Sequence, residues 1–274
     1  MQTTTSATRP EPGVAVIPTI NWLGLRTMYC KEVRRFVKVQ LQTIWAPGIN
    51  TLLFLVIFTV GMGRGARVVW DVPYADFLAP GLAAMGMMQN AFANTSSSLL
   101  VSKVQGTIID SLMPPLSAGE LLVAYVGGAV TRAWAIGLVT LLAMAFWPGV
   151  HLHMPNIAVA LFFGTVASVM LALLGLLTGI WAEKFDHAAA IANFVVQPLT
   201  LLSGTFYTLS VLAAPWDRLA HLNPFFHAID GFRSAFLHRS DGDVAVSAGV
   251  LLFIAALLWF VAYRALKSGW KLKA

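Results

Sequence analysis

Charged side chains are scarce in this chain of 274 residues: Asp, Glu, Lys and Arg make up 11% of it, against 58% hydrophobic residues. A soluble domain carries about 25% charged residues. The shortage excludes an ordinary water-soluble fold and points to one integral membrane domain. Cysteine is almost missing too. Cys30 stands alone, which excludes an intrachain disulfide and a cysteine metal cluster; it reads as a small apolar filler. No His, Cys and carboxylate set has metal-ligand spacing, and His151-x-His153 is too weak a pattern to hold an ion. Met85, Met87 and Met88 read as adaptable packing. The phosphate-binding pattern G-x-x-x-x-G-K-[ST] is absent, and no Lys follows a Gly. Residues 1–21, rich in Thr, Pro, Ala and Gly, have no apolar h-region and read as a flexible tail, not a cleaved signal peptide. The net charge of +6 does not signal nucleic acid, because the basic residues gather at the two ends of the chain.

What is abundant is apolar sequence in runs long enough to cross about 30 Å of hydrocarbon. Six such runs fall at about 45–63, 77–101, 119–147, 157–182, 189–209 and 245–266. The expected fold is therefore all-α, an integral membrane domain over 22–266 with a basic tail at 267–274. The second run is interrupted by Gln89, Asn90, Asn94 and Thr95 to Ser98; the third is long enough to begin outside the bilayer. With both termini inside, the inner side carries twelve basic residues: Arg9, Arg26, Lys31, Arg34, Arg35, Lys38, Lys103, Lys184, Arg264, Lys267, Lys271 and Lys273. The outer side carries five, Arg64, Arg67, Arg218, Arg233 and Arg239. That asymmetry favours cytoplasmic termini.

Before the first run, Trp22, Leu25, Tyr29, Val33 and Phe36 recur at helical spacing, and Arg26, Lys31, Arg34, Arg35 and Lys38 mark a polar side. Such a helix lies in the membrane interface. It serves either as a plain anchor to anionic lipid or also as part of a docking surface. Between the second and third runs, Thr107 to Met113 allow about two helical turns before Pro114 and Pro115 end them. This linker is either a tight loop or a short helix that transmits force from a partner.

The stretch before the last run is the most informative. Ser203-Gly204-Thr205-Phe206-Tyr207 breaks an apolar helix; Trp216, Asn223-Pro224-Phe225-Phe226 and Asp230-Gly231-Phe232-Arg233 follow. Irregular backbone survives at membrane depth only where protein or a water-filled cavity satisfies it, so a re-entrant element is expected on the outer side. Asp230 and Arg233, three apart, can pair on one helical face. Arg132 is the clear ionisable residue within a run, and all six His residues fall in loops or at their edges; this argues against coupling to an ion gradient. Asn90, Asn94 and Ser98 share one helix face. They either line a polar path together with Arg132 or bond between helices. Asn193, Gln197 and Pro198 form a second polar site, with a bend at the proline. Gly175-x-x-x-Gly179 reads as helix packing.

Several of these motifs resemble one family. Phe77-Leu78-Ala79-Pro80-Gly81-Leu82, Asn90-Ala91-Phe92, Ser96-Ser97-Ser98, Gly106-Thr107, Pro115-Leu116-Ser117 and Glu120-Leu121-Leu122 occur in order. They are followed by Ser203-Gly204-Thr205-Phe206-Tyr207, Asn223-Pro224 and Asp230-Gly231-Phe232-Arg233. Over about residues 25–265 the chain resembles the permease subunits of ABC-2 type exporters, in the YadH-like branch, near the permeases of nodulation-factor and drug exporters. The resemblance implies a homodimer of six-span subunits in the bacterial inner membrane, driven by a separate ATPase that binds ATP and Mg. The permease itself would need no cofactor. The resemblance implies an ATPase-flanking interface helix at 22–38, including Trp22, Arg26, Lys31, Arg34 and Arg35. It implies a coupling helix within 104–116, carried by Val104, Gln105, Gly106, Thr107, Ile108, Asp110, Ser111, Leu112, Pro114 and Pro115. Residues 210–236 become paired re-entrant helices. The outer gate would then comprise Ser203, Gly204, Phe206, Tyr207, Trp216, Asn223, Pro224, Phe225, Phe226, Asp230 and Arg233, with Trp216 and the two Phe residues anchoring it in the interface. Thr208 stands where many members of this family have Pro.

The expected function is export of a lipid, a glycolipid or polysaccharide, or an amphipathic drug-like compound. A gradient-driven carrier or channel is the alternative. A membrane-embedded enzyme would need a cluster such as Glu183, Asp186 and His187 to be reactive.

Overall fold

A computed structural model describes residues 20–61, 68–213 and 215–272. Most of the tail 1–21, with Arg9, lies outside the described residues, as do Arg64, Arg67 and Lys273. Ten helices are present among the described residues: α1, Trp22–Lys38; α2, Leu41–Gly61; α3, Tyr74–Val104; α4, Ile108–Leu112; α5, Ala118–Ala145; α6, Ile157–Trp181; α7, residues 185–201; α8, Trp216–His221; α9, Pro224–Leu237; and α10, Val244–Ser268. One short 3-10 turn, Leu209–Val211, precedes α8. The chain is not purely helical. Val68–Val69 pairs antiparallel with Val72–Pro73, around Trp70 and Asp71 at φ 55° and 63°, the left-handed pair that a two-residue hairpin turn requires.

Local sequence sets the helix ends. Asn21 accepts from Gly24 N at the start of α1, and Ser117 with Glu120 forms a capping box at the start of α5. Asp243 accepts from Ala245 N and Val246 N to start α10, which stops at Gly269 with φ 67°. Two of the proline-bearing helices share a device. In α2 a π-type turn, Leu41–Trp45, precedes Pro47; in α7 another, Ala192–Val196, precedes Pro198. Proline offers no N–H and crowds the carbonyl four residues back. The wider turn absorbs that defect, and both helices continue through it.

Six apolar crossings are expected from the sequence; four helices among the described residues are both long and apolar enough: α2, α5, α6 and α10. α3 is long enough, about 46 Å at 1.5 Å per residue, but too polar along one face. α7 spans about 26 Å by the same rise, short of a hydrocarbon core. Its apolar run reaches 209, yet the helix ends at Leu201, because Gly204 at φ 75° turns the chain. Likewise α5 ends at Ala145 rather than 147, and α4 covers only Ile108–Leu112 of the expected 107–113, held between Gly106 at φ 71° and Pro114.

α3 is the central post. Phe77, Leu78, Ala79, Leu82, Ala83, Met88 and Ala91 are fully buried. α6 crosses it closely because Gly175 and Gly179 carry no side chain. A Cβ at Gly179 would meet Ser96 O at 3.1 Å and Leu99 Cβ at 2.9 Å. Thr95 Oγ1 bonds across the same crossing to Ala172 O at 2.7 Å.

Both described ends of the chain lie at one end of the bundle. Asn21 Nδ2 donates to Pro115 O at 3.2 Å, and Lys271 Nζ to Glu183 Oε1 at 2.9 Å. Lys103 Nζ closes the last carbonyls of α6, reaching Ile180 O at 2.8 Å and Ala182 O at 2.6 Å. The helices α8 and α9 lie at the opposite end.

Candidate functional site

Three sets of sequence-predicted residues are brought together, each in a different way. The first joins α1 to the linker and to α3. Lys31 Nζ donates to Ser111 Oγ at 2.8 Å, so the first helix holds α4 directly. Asn21 N and Ser117 N both donate to the Glu120 carboxylate. α1 runs along α5. Tyr29 Oη meets Thr131 Oγ1 at 2.8 Å, and a Cβ on Gly128 would stand 2.7 Å from Glu32 Cβ. Its buried stripe is Met28, Glu32 and Phe36, whereas Trp22 is 69% exposed. Arg26, Lys31 and Arg34 stay on the exposed side, but Arg35 turns inward.

Arg35 Nη2 donates to Asn94 O at 2.7 Å and to Asn94 Oδ1 at 3.0 Å; Nη1 reaches Ser97 Oγ at 3.3 Å. Glu32 accepts from Ser98 Oγ at 2.8 Å and stands 3.2 Å from Arg35 Nη2. The polar face of α3 is therefore divided. Asn94 and Ser98 are sealed beneath α1, while Asn90, half-buried, takes Arg132 Nη2 at 2.9 Å. Glu32 was not singled out from the sequence. The signal was available, since Glu32 sits four residues from both Met28 and Phe36 on one stripe.

The second set lies between α3 and α7. Gln89 Nε2 donates to Gln197 Oε1 at 3.1 Å. Around them a groove of about 280 Å³ is walled by Phe92, Ala93, Ser97, Phe185 and Ala189. Asn193 is exposed in the π-type turn and takes no side-chain partner among the described residues.

The third set is the irregular element after α7. Arg233 is buried to 1% exposure; its Nη2 donates to Gly204 O at 2.9 Å and Thr205 O at 3.2 Å. Tyr74 Oη donates to Phe206 O at 2.8 Å, and Phe206 stacks on Phe58 with centroids 4.5 Å apart. Asn223 accepts from Phe225 N at 3.0 Å, caps α9 ahead of Pro224, and donates to Leu199 O at 2.7 Å. Tyr207 is half-buried, and Thr208 has φ −86°, near a proline's value. Asp230 and Arg233 do not pair as expected. The Asp230 carboxylate accepts from Asp241 N at 2.9 Å and Gly242 N at 3.1 Å, and Asp241 accepts from Leu209 N at 3.1 Å. Burial raises the Asp241 carboxyl above the ordinary carboxylate range.

Phe225 and Phe226 are 2% and 1% exposed, so they pack inward instead of anchoring in the interface. Only Trp216 is exposed; it borders an apolar cavity of about 280 Å³ with Leu199, Leu202, Leu212 and Leu219. Nor are all histidines in loops. His227 is buried inside α9, between Ser247 Oγ and His221 O, each at 2.9 Å. Among the described residues, no group of three His, Cys, Asp or Glu could hold a metal.

The sequence is similar to known proteins. Residues 24–237 match the ABC-2 type transporter family. The inner membrane transport permease YadH of Escherichia coli K12 is 33% identical over 249 residues, covering 90% of this chain and 96% of that one. Nodulation protein J of Sinorhizobium fredii is 28% identical over 214 residues, 75% and 79% of the two chains. That of Neorhizobium galegae is 29% identical over 220 residues, 77% and 81%. ABC-2 permeases generally work with an ATPase subunit and have no ATPase activity of their own. With a matched segment reaching from α1 to α9, this chain belongs to the ABC-2 type transporter family, as a membrane permease.

Proposed function

We propose that the chain is half of a homodimeric exporter in the bacterial inner membrane, with a separate ATPase docked on the α1–α4 end. α2, α5, α6 and α10 cross the membrane, the polar α3 and the shorter α7, shielded by these helices, complete six crossings, and both termini are cytoplasmic. The cargo is a lipid, a glycolipid or polysaccharide, or an amphipathic compound, and it moves outward. The observation that carries this reading is the continuous linkage Ser111–Lys31 and Arg35–Asn94. It joins the short linker helix to the polar face of α3 through one rigid helix. A push on α4 moves α1, and α1 is bonded to the residues nearest the α3–α7 groove. Ile109, Leu112 and Met113 are exposed apolar residues on and beside α4, suited to a partner's surface. At the other end, α8 and α9 with the 203–207 turn form the outer gate.

The test is coexpression with a candidate ABC ATPase subunit. Deleting residues 104–116 should abolish its co-purification while membrane insertion persists. A deleted chain that still assembled and transported would refute the docking assignment. Transport in vesicles with an ion gradient and no ATPase would instead establish a gradient-driven carrier.

A further inference from the structure

Two buried arginines, Arg132 and Arg233, lack a carboxylate partner among the described residues; Arg233 has two backbone carbonyls instead, and Arg132 has none. Arg132 is 8% exposed; its single side-chain bond is to Asn90 Oδ1 at 2.9 Å, and its Nε is buried without a partner. A guanidinium presents five N–H donors in a planar fork, so most of this one is unused. No carboxylate among the described residues pairs with it. About one turn along α3, Arg35 brings a second guanidinium to Asn94 and Ser97. Only Glu32 stands against the two. Two cations and one carboxylate leave one positive charge in excess between α1, α3 and α5. Asn90 answers it with a dipole, not a charge, and an unpaired charge at membrane depth is costly.

This stripe borders the α3–α7 groove. Asn90 stands seven residues, about two turns, before Ser97 on one side of α3, and Arg35 bonds to Ser97; Ser97 lines the groove, whose other walls include Gln89, Phe92, Phe185 and Val196. A positive edge beside an apolar trough suits a molecule with one anionic group and a hydrocarbon portion. A planar guanidinium matches phosphate or carboxylate oxygens two at a time.

We propose that Arg132 and Asn90, seconded by Arg35, form a binding site for the phosphate or carboxylate group of an amphiphile whose apolar part lies in the α3–α7 groove. Calling that amphiphile cargo rests on the permease reading; the site itself does not. The test uses the full chain in phosphatidylcholine nanodiscs doped with phosphatidic acid, with retained lipid counted by native mass spectrometry. Wild type should retain phosphatidic acid over phosphatidylcholine. Arg132→Gln should lose that preference about tenfold, Arg132→Lys should keep most of it, and Lys267→Gln should leave it intact. Asn90→Ala, a milder change, should cost about threefold, so that misfolding of Arg132→Gln would still leave the site testable. Displacement by inorganic phosphate would identify a free anion as sufficient; resistance to it would require a lipid-borne headgroup. Equal retention in wild type, Arg132→Gln and Asn90→Ala would overturn the proposal. Selective retention without ATPase-driven efflux would instead remove the amphiphile as cargo and leave the anion site standing.

Discussion

The guanidinium carbon of Arg233 lies 3.9 Å from the centre of the Phe77 ring, while Nη2 of the same side chain holds the carbonyls of Gly204 and Thr205. One residue of α9 thus ties the irregular turn after α7 to the first turns of α3. The cation over the ring and the charge-assisted bonds below it need a flat fork.

Arg233→Met therefore leaves two buried carbonyls without their donor and should destabilise the chain by about 1–3 kcal/mol for each acceptor left unpaired. Arg233→Lys should recover less than half of this. Thermal unfolding in detergent measures both, and a wild-type melting curve for Arg233→Met would contradict the assignment.

Gly81 faces the same guanidinium. A Cβ there would stand 2.7 Å from Arg233 Nη2 and 3.3 Å from Thr205 O. Gly81→Ala should cost about 1–3 kcal/mol by overpacking. Combined with Arg233→Met the penalties should not add, since the clash disappears with the side chain. An additive double-mutant cycle would count against this contact.

The bond from Lys31 to Ser111 should matter to coupling more than to folding. Lys31→Ala and Ser111→Ala each remove one hydrogen bond worth about 1 kcal/mol. ATPase-driven transport should fall about fivefold while the amount of inserted chain stays constant. If either variant transported at the wild-type rate, α1 would not be the transmitting element.

The ion pair at the chain's end predicts a pH response. The hydrogen bond from Lys271 holds the Glu183 carboxyl below the ordinary carboxylate range. A lowered folded value means the pair contributes fully above the unfolded value and is lost as pH falls through the folded one. The protection of Leu272 N, which bonds to Gly269 O, measured against the intrinsic amide exchange rate at each pH, should fall in acid below that range and stay constant from neutral pH upward. Glu183→Gln should show the low protection at every pH.

The crossing of α3 and α6 offers a packing test. Gly179→Val would drive a branched side chain into Ser96 and Leu99. The expected result is loss of folded protein on size exclusion, with Gly249→Val, which meets open space, as the tolerated counterpart.

Much of the helix plan was legible because single helices obey local rules. α1 and α6 begin where Asn21 and Asn156 cap them, and the prolines end α4. The 203–207 turn and the Asn223-Pro224 start of α9 were equally readable, since glycine, proline and Asn carry their conformational demands with them. The partners of charged residues were not. Asp230 and Arg233 have the spacing of a pair, yet Asp230 turns to the amides of Asp241 and Gly242, and Arg233 to two carbonyls. Backbone groups compete for charges wherever a loop folds back, and helical spacing says nothing of where that loop goes.

By itself the sequence determined that this chain is helical, resides in a membrane, has no phosphate-binding loop of its own, and breaks its fifth apolar run at Gly204. These follow from apolar length, composition and turn chemistry, which act over a few residues. Only the tertiary structure decided that α1 is a strut along α5, that Glu32 and Arg35 seal Asn94 and Ser98, and that Arg132 has Asn90 as its side-chain partner among the described residues. Those outcomes depend on which faces meet across 59 residues of chain between Arg35 and Asn94 or 102 between Tyr29 and Thr131. Burial removes water as a partner there, so each polar group must take whatever the neighbouring helix presents.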